Sequence, residues 1–173
     1  MNSTHRTRTA RRVSSLFRLV VGAAALAVLA SGAVMATTGS GITSANLSVG
    51  RFEPIKVHTH VDGHKVSIAT KGDSDVYVVS NVFAPGGHSG WHTHPGPSLI
   101  TVKSGTITAY SGDDPTCTPQ VFPAGTGFVD EGDGHVHILR NEGSVAAETV
   151  AVQLLPAGAV RRIDAPDPGH CSF

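Results

Sequence analysis

The sequence predicts an all-β protein, built either as a sandwich or as a barrel. Beyond residue 50, no long stretch repeats apolar residues with the 3.6-residue period of an amphipathic helix. Short runs rich in β-branched residues instead alternate with clusters of Gly, Pro and Asp, which favour turns. Many short strands at nearly regular spacing are typical of sandwiches and barrels. The length of 173 residues is that of one domain.

Nine strands are predicted, each a short run bounded by turn residues. The first two flank Asp62-Gly63, a dipeptide that favours a two-residue hairpin turn. Apolar and polar residues alternate along the strands, so each strand is expected to bury one face. The predicted strands are Ile55–Val61, Lys65–Thr70, Val76–Ala84, Leu99–Lys103, Thr106–Tyr110, Gln120–Phe122, Gly127–Val129, His135–Asn141 and Glu148–Leu155.

Residues 1–36 are interpreted as a targeting segment. Five arginines and no acid are followed by an apolar run from Leu19 to Ala36. This pattern is typical of a secretory signal peptide, and the run also approaches the length of a membrane-spanning helix. We expect either a cleaved signal peptide or an uncleaved N-terminal membrane anchor. Either way the folded part would be secreted or otherwise extracytoplasmic. Residues 37–50, rich in Ser, Thr, Gly and Ala, are predicted to be a flexible leader, and residues 51–173 the folded domain.

The charge balance argues against nucleic acid as a partner. The chain has 13 basic and 13 acidic side chains, but five of the basic ones lie within residues 1–36. The rest of the chain therefore has eight basic against 13 acidic groups and is mildly acidic. Binding to a phosphate backbone requires a basic face.

The two cysteines agree with export. Cys117 lies in a predicted loop, and Cys171 lies two residues before the end of the chain. An even cysteine count in an oxidising compartment favours one disulfide, which would hold the C-terminal tail across the domain. The alternative is a pair of unrelated free thiols.

Ten histidines are present, and most fall into three groups. His92 and His94 are two residues apart, so on a strand their imidazoles point to the same face and can converge on a metal ion. One histidine of the pair His135 and His137, on a second predicted strand, would complete a three-histidine site with open coordination positions. The alternative is that these are polar residues on a solvent-exposed face. The third group, His58, His60 and His64, is interpreted as polar residues of the predicted hairpin.

The histidine pairs lie within segments that resemble the two motifs of the cupin superfamily. The first motif has a Gly, five residues, His-x-His, then a Glu and a later Gly; the second ends in a Gly, two residues, a His, three residues and an Asn. The matching positions are Gly86, His92, His94 and Gly105 for the first motif and Gly134, His137 and Asn141 for the second. The resemblance covers about Val76 to Pro156.

The resemblance implies that residues 51–173 form an antiparallel barrel of the jelly-roll type. It implies one divalent transition metal held by His92, His94 and His137, with His135 as the alternative third ligand. The His-x3-Asn spacing selects His137. Imidazole suits Zn, Cu, Fe and Ni alike, and Mn is a further candidate. Cupins commonly pair into homodimers and bind small molecules, so both kinds of partner are expected.

One departure from the motif bears on function. Ser98 stands where the first motif normally has a metal-binding Glu. The acidic run Asp130, Glu131 and Asp133 either supplies a replacement or forms an exposed turn, and we favour the exposed turn. Three neutral imidazoles would leave positions for a small chelating substrate, as in dioxygenases of this superfamily. The alternative is a non-catalytic metal-binding or small-ligand-binding module, so the sequence leaves open whether the protein is an enzyme.

Three polar residues are predicted around such a pocket. Ser98 occupies the glutamate position, and Asn141 is expected to orient the backbone beside the His137 strand. Gln153 would either point inward to a ligand or face water. Trp91, next to His92, should point to the opposite face of its strand and serve in packing.

Overall fold

The computed structural model describes residues 35–173, and every regular element among them is a β-strand. The described residues contain no helix with the length and apolar character needed to cross a bilayer. The predicted signal peptide or anchor lies, apart from Met35 and Ala36, outside the described residues.

Twelve strands follow one another along the described chain. They are β1 (Ser40–Phe52), β2 (Lys56–Val61), β3 (His64–Ala69), β4 (Ser74–His88), β5 (His92–Thr93), β6 (Ser98–Ser104), β7 (Thr106–Ser111), β8 (Gln120–Pro123), β9 (Gly127–Asp130), β10 (His137–Arg140), β11 (Ala147–Pro156) and β12 (Ile163–Asp164).

Ten of these strands form one antiparallel sheet that curves into a nearly closed barrel. One half has the order β1-β4-β11-β6-β9, and the other has the order β12-β5-β10-β7-β8. The halves meet where Arg140 at the end of β10 pairs with His88 at the end of β4. Strands β2 and β3 form a separate hairpin around Asp62-Gly63. The prediction of an all-β, antiparallel jelly-roll barrel is confirmed.

Alternation of side chains along the strands defines the interior of the barrel. In β11, every second residue from Ala147 to Leu155 is buried, because side chains of a strand point to opposite faces in turn. Strand β6 follows the same pattern from Ser98. The buried apolar cluster inside consists of Phe83, Val102, Ile107, Leu139 and Ala147.

A second apolar cluster lies on the other side of β10. Ile138 belongs to it while its neighbour Leu139 belongs to the first cluster, so the two clusters occupy opposite faces of this strand. Its other buried members are Trp91, Tyr110 and Ala165, with Trp91 only 2% exposed. The prediction that Trp91 serves in packing agrees with this position.

The C-terminal tail covers this second cluster. The Phe173 ring lies 4.8 Å from the Tyr110 ring, and the Arg140 guanidinium lies 3.8 Å above Phe173. A disulfide joins Cys117 to Cys171, whose Cα atoms are 5.4 Å apart. We call residues 161–173 the C-terminal strap, because they run from the barrel interior across the outer face of the sheet that carries the histidines.

The prediction of a flexible leader at residues 37–50 is wrong. Most of that segment belongs to β1, which pairs with β4 from Phe52 back to Ser40 with two register shifts. Small polar residues resemble a linker in sequence, but the long edge of β4 offers a full row of backbone donors and acceptors to pair with. The short strands β5 and β12 were also missed, since two residues carry no periodic signal.

Candidate metal centre

Three histidines converge inside the barrel. His92 begins β5, His94 follows it, and His137 begins β10 directly opposite His92 in the strand register. All three side chains are buried. The ring centroids of His92 and His137 are 4.3 Å apart, and those of His92 and His94 are 4.9 Å apart. One nitrogen from each ring lies within 4.8 Å of the other two, so the three nitrogens can bind a single metal ion.

Hydrogen bonds orient two of these rings and define their tautomers. Nδ1 of His92 donates to the carbonyl oxygen of Gly90 at 2.9 Å, and Nδ1 of His94 donates to that of Arg161 at 2.6 Å. A carbonyl oxygen only accepts, so Nδ1 carries the proton and Nε2 keeps a lone pair for a metal. Such outer hydrogen bonds are typical of metal-binding histidines.

The third ring, that of His137, has no hydrogen bond to hold it among the described residues. Both ring nitrogens of His137 are buried and make no hydrogen bond to any described residue. Leaving a buried polar atom unpaired costs about 1–3 kcal/mol, and a bound cation would remove that cost. The residues present therefore fit a metal ion.

Asp130 adds a carboxylate beside the three rings. Its side chain is 3% exposed, with Oδ1 3.4 Å from Nδ1 of His137 and Oδ2 3.8 Å from Nε2 of His94. The backbone N–H of Gly132 donates to Oδ1 at 3.1 Å and fixes the carboxylate. Oδ2 is buried and makes no hydrogen bond to a described residue.

The favoured prediction of an exposed acidic turn is thus wrong for Asp130, although Glu131 and Asp133 are exposed. Asp130 ends β9 two residues after the core-facing Phe128, so it points inward. It pairs directly with Ser98 across the sheet. Asp130 therefore lies on the strand beside Ser98, the residue that stands where the motif has its glutamate.

The remaining histidines of residues 35–173 do not join the three-ring cluster. Nε2 of His135 lies 2.9 Å from the Ser111 hydroxyl, and its side chain is 39% exposed. Its ligand atom forms a second group with those of Asp130 and His137, again within 4.8 Å of one another. His58, His60 and His64 are exposed on the β2–β3 hairpin, as their interpretation as polar hairpin residues requires.

A cavity of about 50 Å³ adjoins the three rings. A water-sized site needs roughly 10–15 Å³ by this measure, so the cavity has room for a few water molecules or a small ligand. Phe83, Ile100 and Leu139 give it apolar walls. Its polar wall includes Gln153, Arg161 and Arg162. The two arginines were missed by sequence reasoning; the only signal was an adjacent basic pair in the tail.

The three predicted pocket residues have different positions. Gln153 lines the cavity and is 2% exposed, and its amide nitrogen donates to the Ser98 hydroxyl at 3.1 Å. Ser98 is fully buried behind Gln153 and does not reach the cavity. Gln153 thus faces inward, which was one of the two orientations considered for it.

Asn141 does not belong to the pocket. Its amide nitrogen lies 2.8–3.1 Å from the carbonyl oxygens of Phe83, Ala84 and Val145, and its Oδ1 accepts from the backbone N–H of Gly143. The side chain is therefore fully engaged by backbone, which corrects its assignment to a ligand pocket. These hydrogen bonds join Asn141 to the backbone of β4 and of the loop after β10.

Burial keeps the histidine cluster neutral. Loss of hydration lowers the pKa of His92 well below its usual range and lowers the pKa of His94. The same cause lowers the pKa of His137 to about 4. A metal binds only the neutral imidazole, so these shifts extend the pH range over which the ligands are ready to bind.

These shifts predict that the metal-free protein loses stability on acidification from pH 6.5 toward pH 4. In this window the unfolded chain protonates its histidines near pH 6.5, while the folded state holds His137 neutral down to about pH 4. The contribution of these histidines to the free energy of unfolding is complete above pH 6.5. As the pH falls below that value, it decreases by up to about 1.4 kcal/mol per pH unit for each such histidine. Urea unfolding of chelator-treated protein at pH 7.5 and 5 would measure the loss. The exposed-histidine variant His58→Ala should show the same slope, and a pH-independent free energy of unfolding would contradict the prediction.

Comparison with known proteins finds similar solved structures. No protein-family model matches the chain, and no curated protein matches it. Among solved structures, an uncharacterised Klebsiella pneumoniae protein with a double-stranded β-helix domain is 25% identical, with a TM-score of 0.45. That match covers 65% of this chain and 84% of the other. A cupin domain from Bordetella pertussis is 17% identical over 59% of this chain and 93% of its own, with a TM-score of 0.40.

A third similar solved structure is a recombinant oxalate oxidase in complex with glycolate. It is 27% identical with a TM-score of 0.40, and the match covers 45% of this chain. The chain spans only 41% of that oxalate oxidase.

Proposed function

We propose that this cupin-fold protein is exported and binds one divalent transition metal through Nε2 of His92, His94 and His137. The single observation that carries the proposal is the convergence of three buried, neutral imidazoles beside a small cavity. Fe, Mn, Zn, Cu and Ni all remain candidate ions, since imidazole does not discriminate sharply among them. The Cys117–Cys171 disulfide supports an oxidising compartment, and residues 1–36 would serve as the export signal or anchor.

The proposed activity is that of a dioxygenase-type oxidoreductase on a small chelating compound. A redox-active metal at this position would supply Lewis acidity and electron transfer. The chain itself would bind the substrate: His92 and His94 are held in place through their Nδ1 atoms, and the cavity walls would shield a bound substrate from bulk water. Asp130 would offset part of the metal's charge.

Metal content tests the proposal directly. The purified full-length chain, without an affinity tag, should contain about one equivalent of a transition metal by mass spectrometry. The double variant His92→Ala/His137→Ala should lose it, because one imidazole cannot hold the ion. The matched control is His58→Ala/His60→Ala, which removes two exposed hairpin histidines and should keep the metal. Equal metal content in both double variants would refute the assignment.

A second candidate function is non-catalytic binding of a metal or small ligand. It is favoured by the cavity wall, where none of the lining residues in the described part of the chain carries a carboxylate. Apart from the histidines, the wall therefore has no strong base for proton transfer. An oxygen electrode separates the two functions: dioxygen uptake with a diketone, catechol, flavonol or thiol, above that of the free metal, requires an enzyme. Tight ligand binding without uptake would identify a binding module.

A further inference from the structure

We propose that the cavity takes a small carboxylate and that Arg161, at the start of the C-terminal strap, recognises its charge. The proposal deepens the proposed function, since it assigns a ligand class to the same cavity. It rests on the placement of Arg161, on the charges around it and on the size of the cavity.

Both the backbone and the side chain of Arg161 make hydrogen bonds to residues of the cavity wall. Its carbonyl oxygen accepts the hydrogen bond from Nδ1 of His94 at 2.6 Å, so the residue is tied to the histidine cluster. Its Nη1 donates to Oε1 of Gln153 at 3.0 Å. Gln153 is itself 2% exposed and held by Ser98, which fixes the guanidinium inside the barrel mouth rather than in solvent.

The charge of Arg161 has no counterpart among the described residues. No carboxylate of the described chain lies within ion-pairing distance of it, whereas the neighbouring Arg162 pairs with Asp164 at 2.6 Å. Burial, followed by the proximity of Arg162, lowers the pKa of Arg161. A guanidinium stays charged in proteins, so this half-buried cation is destabilised until an anion approaches.

The other walls of the cavity do not offset this charge. The three histidines are neutral, and no lining residue in the described part of the chain is acidic. Arg162 also lines the cavity, and its Nη2 donates to the carbonyl oxygen of Ser89 at 2.7 Å. The cavity is therefore positive on its strap side even before any metal binds.

Shape and size favour a small carboxylate as the anion. With Nη1 engaged by Gln153, Nε and Nη2 of Arg161 can donate two parallel hydrogen bonds, the arrangement that matches a carboxylate. The cavity of about 50 Å³ holds roughly three to five waters. The enclosed part of the ligand should therefore have about five non-hydrogen atoms.

Calorimetric titration with glycolate and glycolamide tests the proposal, because both have five non-hydrogen atoms and differ only in charge and hydrogen bonding. The full-length chain should prefer glycolate by about tenfold or more, as expected for hydrogen bonds to a charged group. Arg161→Gln should lose most of this preference. Arg161→Lys, which keeps the charge without the planar fork, should retain part of it. The control Lys56→Gln removes a positive charge from the exposed hairpin and should behave like the wild type.

Metal content and circular dichroism of each protein keep the outcomes distinct. A folded Arg161→Gln variant that retains both the metal and the glycolate preference overturns the proposal and leaves the metal site standing. A wild type without preference overturns it as well. A glycolate preference that depends on Arg161 in a protein without metal supports the carboxylate site and refutes the metal assignment.

Discussion

Replacing both cysteines, as Cys117→Ser/Cys171→Ser, should lower the free energy of unfolding by about 4 kcal/mol. The disulfide closes a loop of 54 residues, and the loss of chain entropy in the unfolded state predicts a stabilisation of about this size. Denaturant unfolding of the oxidised wild type and the double variant would measure the difference. A difference below about 1 kcal/mol would mean that the native strap is held by packing alone.

The same substitution should weaken the carboxylate site. The strap carries Arg161 and Arg162 at one end and Cys171 at the other, with β12 paired to β5 between them. Without the disulfide, the far end of the strap is held by the contacts of Phe173 with Tyr110 and Arg140, while the β12 pairing and the hydrogen bonds of Arg161 and Arg162 hold the near end. The control Phe173→Ala removes that packing and keeps the covalent bond. If only the cysteine variant loses glycolate affinity, the disulfide is what holds the arginines in place.

Removal of the buried carboxylate in Asp130→Ala should weaken metal binding by about 10- to 100-fold, the usual loss when a partner of a ligand histidine is removed. Three neutral imidazoles do not offset a double positive charge, and Asp130 is the carboxylate within 4 Å of two of them. Competition with a chelator would give the affinity ratio. Asp130→Asn keeps the shape and loses the charge, so it separates electrostatic support from simple packing.

The neighbouring acid Glu131 provides the control for this prediction. It is exposed and adjacent in sequence, so Glu131→Gln changes the same net charge without touching the histidines. Its metal affinity should equal that of the wild type, because solvent screens an exposed charge. Equal affinities for the wild type, Asp130→Ala and Glu131→Gln would show that Asp130 is not part of the metal centre.

The two ends of the strap connect the stability of the fold to its chemistry. Its outer end packs on the apolar cluster behind β10, and its inner end hydrogen-bonds His94 and lines the cavity. Changes to the strap should therefore affect ligand binding more than metal content, since the strap carries Arg161 itself, whereas His92 is also held by its pairing with His137 on β10.

The features that repeat along the chain could be predicted from the sequence. The alternation of apolar and polar residues predicted the strands between Val76 and Leu155, because a strand that buries one face has apolar side chains at every second position. The His-x-His spacing and the motif around His137 selected the three rings that the barrel brings together. The even cysteine count matched the disulfide.

Other features depended on which strands become neighbours, and local sequence does not encode that. Residues 40–50 of the predicted leader became part of β1 only because β4 had an edge to pair. Asp130 became a partner of the histidines through its register opposite Ser98, and Arg161 reached the cavity because the strap folds back over the barrel. Local periodicity determines which face of a strand is buried, whereas pairing between distant strands decides which charged side chains share that buried space.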